Sequence, residues 1–215
     1  MTPRDRCGRD SRSQGTRHGA AMGPWVGGLL LLATPAFAGL GVNEFNGHLG
    51  FGYTQRIGES SSEKRFGATR PAGSLTVAGG VDYPVAATMR AGVDIGYYLL
   101  GSATAESGSL LAELDYSVFE ALALVHWVPP WRGGPLGRVS LGPGVFHARA
   151  DLSSTGAPAF SDLAVEQTVG GGVVALTFIQ RKPAPVRLGL EAGARRVFLR
   201  GDDWTILSAR LTMHY

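Results

Sequence analysis

The chain has 215 residues, with 20 Lys and Arg, 17 Asp and Glu, and one cysteine, a length that suits one domain of ordinary size. Five of the basic residues, two of the acidic ones and the lone Cys7 fall within the first 38 positions, so the remainder is charge-balanced and free of cysteine. That excludes a disulfide framework and a thiolate metal site from the remainder, and it removes the electrostatic case for nucleic-acid binding.

The opening segment is unlike the rest. Met1 to Gly19 is polar and basic, with Arg4, Arg6, Arg9, Arg12 and Arg17, and Trp25 to Ala38 is apolar and ends Ala36-Phe37-Ala38 before Gly39. A basic flank, a short apolar run and a small-x-small end form a secretory signal. Residues 1–38 are therefore predicted to be a cleaved signal peptide and 39–215 the mature domain. Met22 is an alternative start, which would keep the apolar run and lose the basic flank. The apolar run is short for a membrane anchor, since a spanning helix needs about 20 residues. No cysteine follows it to carry a lipid. Beyond it no apolar stretch reaches spanning length, so a mature chain placed in a membrane has to cross as a closed barrel.

The mature part alternates apolar and polar residues in successive segments, the pattern of strands with two different faces. Segment one, Phe45 to Arg56, sets Phe45, Leu49, Phe51 and Tyr53 against Asn46, His48, Gly50, Gly52 and Thr54. Segment two, Ser74 to Tyr83, sets Leu75, Val77, Val81 and Tyr83 against Ser74, Thr76, Gly80 and Asp82. Segment three, Thr88 to Tyr98, sets Met89, Ala91, Val93, Ile95 and Tyr97 against Thr88, Arg90, Gly92, Asp94 and Gly96. Segment four, about Leu110 to Val128, changes parity: Leu110, Ala112, Leu114, Tyr116 and Val118 give way to Phe119, Ala121, Ala123, Val125 and Trp127. This predicts a bulge near Val118-Phe119, with a short helix over Leu110 to Tyr116 as the competing reading.

Segment five, Gly137 to Arg149, sets Val139, Leu141 and Val145 against Arg138, Ser140, Gly142 and Gly144. Segment six, Val165 to Ile179, is rich in glycine and valine, and its facing is ambiguous. Segment seven, Val186 to Phe198, sets Val186, Leu188, Leu190, Ala192 and Ala194 against Arg187, Gly189, Glu191, Gly193 and Arg195. Segment eight, Thr205 to Tyr215, sets Leu207, Ala209, Leu211, Met213 and Tyr215 against Ser208, Arg210, Thr212 and His214. The fold class is all-β: an eight-stranded antiparallel up-and-down transmembrane barrel with strands mostly about 10 residues long.

The connections support an alternation of long outer loops and short inner turns. Ile57 to Ala72, Leu99 to Ser107 and Ala150 to Ala164 are predicted outside, and Pro84 to Ala87, Pro129 to Leu136 and Arg181 to Pro185 inside. The last outer connection, Leu199 to Trp204, is short for the rule. Phe45, Tyr83, Trp127 and Tyr215 fall at one end of the segments and Tyr53, Tyr97 and Phe198 at the other, as two aromatic girdles require.

The last strand, alternating and ending on the aromatic Tyr215, resembles the C-terminal signal by which outer-membrane barrels are recognised for assembly. Gly137-Arg-Val-Ser-Leu-Gly-Pro-Gly-Val-Phe146 resembles the fifth strand of the OmpA/OmpX/OmpW-type small barrels. The resemblance covers Gly39 to Tyr215. It implies location in a bacterial outer membrane, contact with outer-membrane lipids and recognition by the barrel-assembly machinery through Tyr215; it implies no single function. The barrel is expected to be a monomer.

An eight-stranded barrel is just wide enough for side chains to fill. Arg90, Asp94, Arg187, Glu191, Arg195 and Arg210 are predicted to face inward and to pair across the lumen, because isolated buried charges are too costly. No enzymatic reading emerges, and no catalytic, cofactor-binding or metal residue is assigned. His48, His126, His147 and His214 lack the His-x-Ser spacing of a lipid-deacylating barrel and any paired metal spacing. Asp202-Asp203 is a weak echo of a surface-protease acid pair and suits a hairpin tip. Gly170-Gly171-Gly172 has no helix after it and is no phosphate loop. Three functions remain: a structural or surface-interaction barrel with a lumen plugged by paired charges; a narrow channel for small or hydrophobic solutes; and a soluble exported lipid-binding barrel with the facing inverted.

Overall fold

The computed structural model describes residues 45–58, 73–107, 110–130, 135–155, 163–181, 185–200 and 203–215. The expected signal peptide lies outside the described residues. Eight strands appear among them: β1 (Asn46–Ile57), β2 (Ser74–Ala86), β3 (Met89–Ser107), β4 (Leu110–Trp127), β5 (Leu136–Thr155), β6 (Leu163–Ile179), β7 (Arg187–Val197) and β8 (Trp204–His214). Each pairs antiparallel with the next, and β1 pairs with β8 from His48↔His214 to Ile57↔Thr205, so the sheet closes. Closure leaves no free edge within the barrel wall, which is what lets strands cross a membrane.

The alternation sorts the side chains between lumen and exterior. Along β8, Trp204, Ile206, Ser208, Arg210, Thr212 and His214 are buried, and Leu207, Ala209, Leu211 and Tyr215 are exposed. Phe51, Ile95, Leu141, Val174 and Leu190 are likewise exposed large apolar residues, and Asp94, Glu120, Glu191, Arg195 and Arg210 are buried. This facing is the reverse of what the soluble lipid-binding alternative requires, so that reading is corrected: charges are inside and apolar side chains outside. On β3 the outward apolar run extends from Met89 to Leu99, the span that a tilted strand needs to cross hydrocarbon. Glycine on the inner face makes room for the lumen side chains. A Cβ at Gly96 would come within 2.9 Å of a Glu120 carboxylate oxygen and 3.1 Å of the Tyr98 ring.

Two expectations about β3 and β4 are corrected. There is no bulge near Val118-Phe119 and no helix over Leu110 to Tyr116. β4 is one strand whose pairing is regular there, Tyr98↔Val118 and Tyr97↔Phe119 on one side and Val118↔Ala148 and Phe119↔His147 on the other. The parity of the strand never changes; Tyr116 and Val118 are apolar because the lumen at that level is apolar. The irregularity lies across the ladder, between Leu99 and Gly101 of β3, where Gly101 takes a φ of 81°, open to glycine without strain.

The predicted loop Leu99 to Ser107 is also strand, and so are the described parts of Ala150 to Ala164, residues 150–155 and 163–164. Ser102↔Asp115 through Ser107↔Leu110 continue the β3–β4 ladder, and Asp151↔Ala164 and Leu152↔Leu163 continue that of β5 and β6. As a result β3 to β6 have 17 to 20 residues each, against 11 to 13 for the other four. The four long strands run past the apolar band at the end of the barrel opposite its termini.

Candidate functional site

Two regions carry the polar chemistry: the lumen, and the extension of β3 to β6. The lumen is layered. In its terminal half, nearest the start of β1 and the end of β8, the Asp82 carboxylate accepts from Arg90 and from Arg138 Nη1 at 3.2 Å. His48 Nε2 lies 3.1 Å from Asp94 Oδ2, and its ring stacks on that of His214 with centroids 5.6 Å apart. His126 Nδ1 lies 2.8 Å from Ser140 Oγ, its cross-strand partner.

At mid-height, Arg195 Nε donates to both oxygens of Glu120, at 2.9 and 3.1 Å, and Arg195 Nη1 donates to Ser208 Oγ at 2.8 Å. The guanidinium lies 4.9 Å from the centre of the Tyr98 ring, and the Tyr98 hydroxyl donates to Glu120. Arg210 Nε donates to Glu191 at 3.1 Å, and Thr177 Oγ1 donates to the other Glu191 oxygen at 3.3 Å. These are buried, charge-assisted pairs in a low-dielectric interior, the geometry in which such bonds are strong. Four of the six charges expected to face inward are buried, Asp94, Glu191, Arg195 and Arg210, and Arg90 and Arg187 are half-buried at the terminal rim. The sequence reading missed Asp82, Glu120 and Arg138 as members of the network. Asp82 and Arg138 lie on the polar parity of their strands, which was a signal; Glu120 shares its parity with Tyr116, Val118, Leu122 and Leu124 and carried none.

The half of the lumen nearer the loops is apolar, packed by Leu100, Tyr116, Val118, Phe146, Trp204 and Ile206. Among the described residues, one charge enters it. The Arg56 guanidinium lies 4.8 Å from the Tyr116 ring centre and 5.0 Å from that of Trp204, and the two rings meet edge-on at 5.5 Å. Cation–π contact gains strength when desolvated. Arg56→Ala is therefore expected to destabilise the barrel by about 1–3 kcal/mol and Arg56→Lys by less. Urea unfolding followed by the loss of gel-mobility difference between boiled and unboiled samples would check this.

None of the lumen groups forms a reactive constellation. The His126–Ser140 pair has the atoms of a nucleophile and its base, but His126 Nε2 has no hydrogen-bond partner to orient it, and both residues are buried. A working pair needs an orienting group and a reachable place for the reacting atom. His147 faces outward beside Thr168 (3.0 Å) and Glu166 (3.8 Å). Among the described residues, no group of three or more His, Cys, Asp or Glu has the geometry to hold a metal ion.

The extension of β3 to β6 changes character on its outer face. Below it are Tyr97, Leu99, Phe119 and Val145; on it are Ser102, Asp115, Arg149, Asp151 and Glu166. Arg149 Nη2 donates to Asp151 at 2.7 Å, Arg149 Nη1 lies 3.3 Å from Glu166, and Ser102 donates to Asp115. Exposed pairs of this kind add little stability. Their meaning is positional: on the outer face, polar side chains begin where the apolar band ends.

No family model matches the chain, and no curated protein matches it by sequence. Solved structures do. Ail, the attachment invasion locus protein of Yersinia pestis, determined in complex with the heparin analogue sucrose octasulfate, is 14% identical with a TM-score of 0.53, over 80% of this chain and 99% of that one. Neisserial surface protein A is also 14% identical with a TM-score of 0.53, over 80% of this chain and 96% of that one. Ail is an outer membrane protein, also determined in a phospholipid bilayer nanodisc. The expected resemblance to small eight-stranded outer-membrane barrels holds at the level of the fold.

Proposed function

We propose that this protein is an integral barrel of a bacterial outer membrane, with a lumen closed to solutes, that acts as a surface-interaction protein through the extension of β3 to β6. In this reading residues 1–38 direct export and are removed, and 39–215 is the barrel. β8, with Leu207, Ala209, Leu211, Met213 and Tyr215 on its outer face, presents the assembly signal, and the barrel works as a monomer. The observation that carries the proposal is the strand length. β3 to β6 exceed the 9–11 residues that a membrane strand requires, and the surplus rises about 15–20 Å beyond the apolar band. A pure membrane anchor has no need of that wall.

The wall also indicates a class of partner. Its described outer face carries the carboxylates Glu106, Glu113, Asp115, Asp151 and Glu166 against one guanidinium, Arg149. It therefore complements a cationic protein surface, and differs in this from a site for a sulfated polyanion such as the one bound to Ail.

The test compares bacteria displaying the full barrel with bacteria displaying one whose β3–β4 and β5–β6 hairpins are cut to membrane length. Both should fractionate with the outer membrane and shift on boiling, and only the full barrel should bind immobilised basic proteins. Planar bilayers should show no conductance for either. Steady conductance would instead favour the narrow-channel reading, and equal binding by both would remove the wall from the proposal.

A further inference from the structure

Among the described residues, the terminal end of the lumen holds more positive than negative charge. Arg90 on β3, Arg138 on β5 and Arg187 on β7, on alternate strands, face inward there, level with His126, Thr177 and His214 in the ladders. The carboxylates of that half are Asp82 and Asp94. Asp82 already takes Arg90 and Arg138, and Asp94 is engaged by His48 through Oδ2 alone, its Oδ1 having no hydrogen-bond partner. The next acid toward mid-height, Glu191, is held by Arg210. Arg187, half-buried at the rim, stands beside His214 in the ladder. Arg138, only 3% exposed, has an Nε with no hydrogen-bond partner, as has His126 Nε2.

An interior of low dielectric does not tolerate a surplus of guanidinium charge, nor buried N–H donors without acceptors. One added group answers both needs: a compact oxyanion, whose oxygens match the planar donor array of arginine. We propose that the terminal mouth of the lumen binds one oxyanion of the phosphate class, with Arg187 as its accessible anchor and Arg138 as its buried donor. The anion would be either free phosphate or the phosphodiester of a phospholipid headgroup, which share this chemistry. The inference rests on the facing of these side chains and is independent of the β3–β6 wall.

The test uses the whole folded barrel in a phosphate-free non-ionic detergent, titrated with inorganic phosphate by calorimetry or NMR. One saturable site is expected. Arg187→Gln should weaken it about tenfold or more while the heat-dependent gel shift remains. Arg196→Gln, an exposed arginine at the opposite end, should leave it unchanged. A repeat in nanodiscs separates the sources: anionic phospholipid should compete with inorganic phosphate if a headgroup is the occupant, and should leave the titration unaltered if free phosphate is. Absence of a saturable site in the unsubstituted barrel, or equal affinity in Arg187→Gln, would overturn the proposal.

Discussion

Glu120→Ala is expected to be among the most damaging single substitutions in the lumen, lowering the unfolding free energy by about 3–5 kcal/mol. Glu120 is fully buried and accepts from Arg195 Nε with both oxygens and from the Tyr98 hydroxyl. Removing it leaves the Arg195 guanidinium, 1% exposed, with a serine hydroxyl and an aromatic face but no counter-charge. The double variant Glu120→Leu, Arg195→Met should recover most of the loss, because an apolar pair of similar volume avoids the desolvation cost that the ion pair only offsets. Urea titration of the barrel refolded in lipid vesicles measures both. A single variant as stable as the parent would mean that the pair contributes nothing to the closed state.

The second large effect concerns the exterior. Ile95 is 55% exposed in the middle of the outward run from Met89 to Leu99. Ile95→Lys is expected to cost about 2–4 kcal/mol in a bilayer, as a cation near the hydrocarbon midplane does on other barrels. Ser153→Lys, on the outer face of the β5 extension, should stay within about 0.5 kcal/mol of the parent. On a water-facing wall, both substitutions would be equally mild. Unfolding free energies in vesicles therefore decide where the band begins and ends, and a harmless lysine at position 95 would contradict membrane placement of β3.

The wall of the barrel was legible in the alternation because each strand there separates two chemically different surroundings. β8 is the clearest case: every second residue from Leu207 to Tyr215 is apolar or aromatic and faces outward. Where the surroundings differ less, the pattern faded. Tyr116 and Val118 face an apolar lumen opposite Phe119, so both parities look hydrophobic and mimic a bulge. Along Gly101 to Ser107 the residues are small or polar on both sides, and a strand there reads as a loop. The inner network was half visible. Arg195 and Glu191 stand out in a clean strand, but the partner of Arg195, Glu120, is 75 positions away, and only closure of the sheet brings the two together.

That remoteness bears on the order in which the molecule can be built. Arg210 reaches the Tyr98 hydroxyl across 112 positions, and the seam that shuts the sheet joins its first strand to its last. Such contacts reward the chain only after most of the loop-closure entropy has been spent, so folding should be slow and late-committing. Arg90–Asp82 and Arg210–Glu191 join neighbouring strands and can form early, but Arg195–Glu120 and Arg138–Asp82 cross the lumen and wait for the sheet to curl and close. A chain that closes by docking β8 on β1 is accordingly expected to keep water against its inner face until the cross-lumen pairs are made.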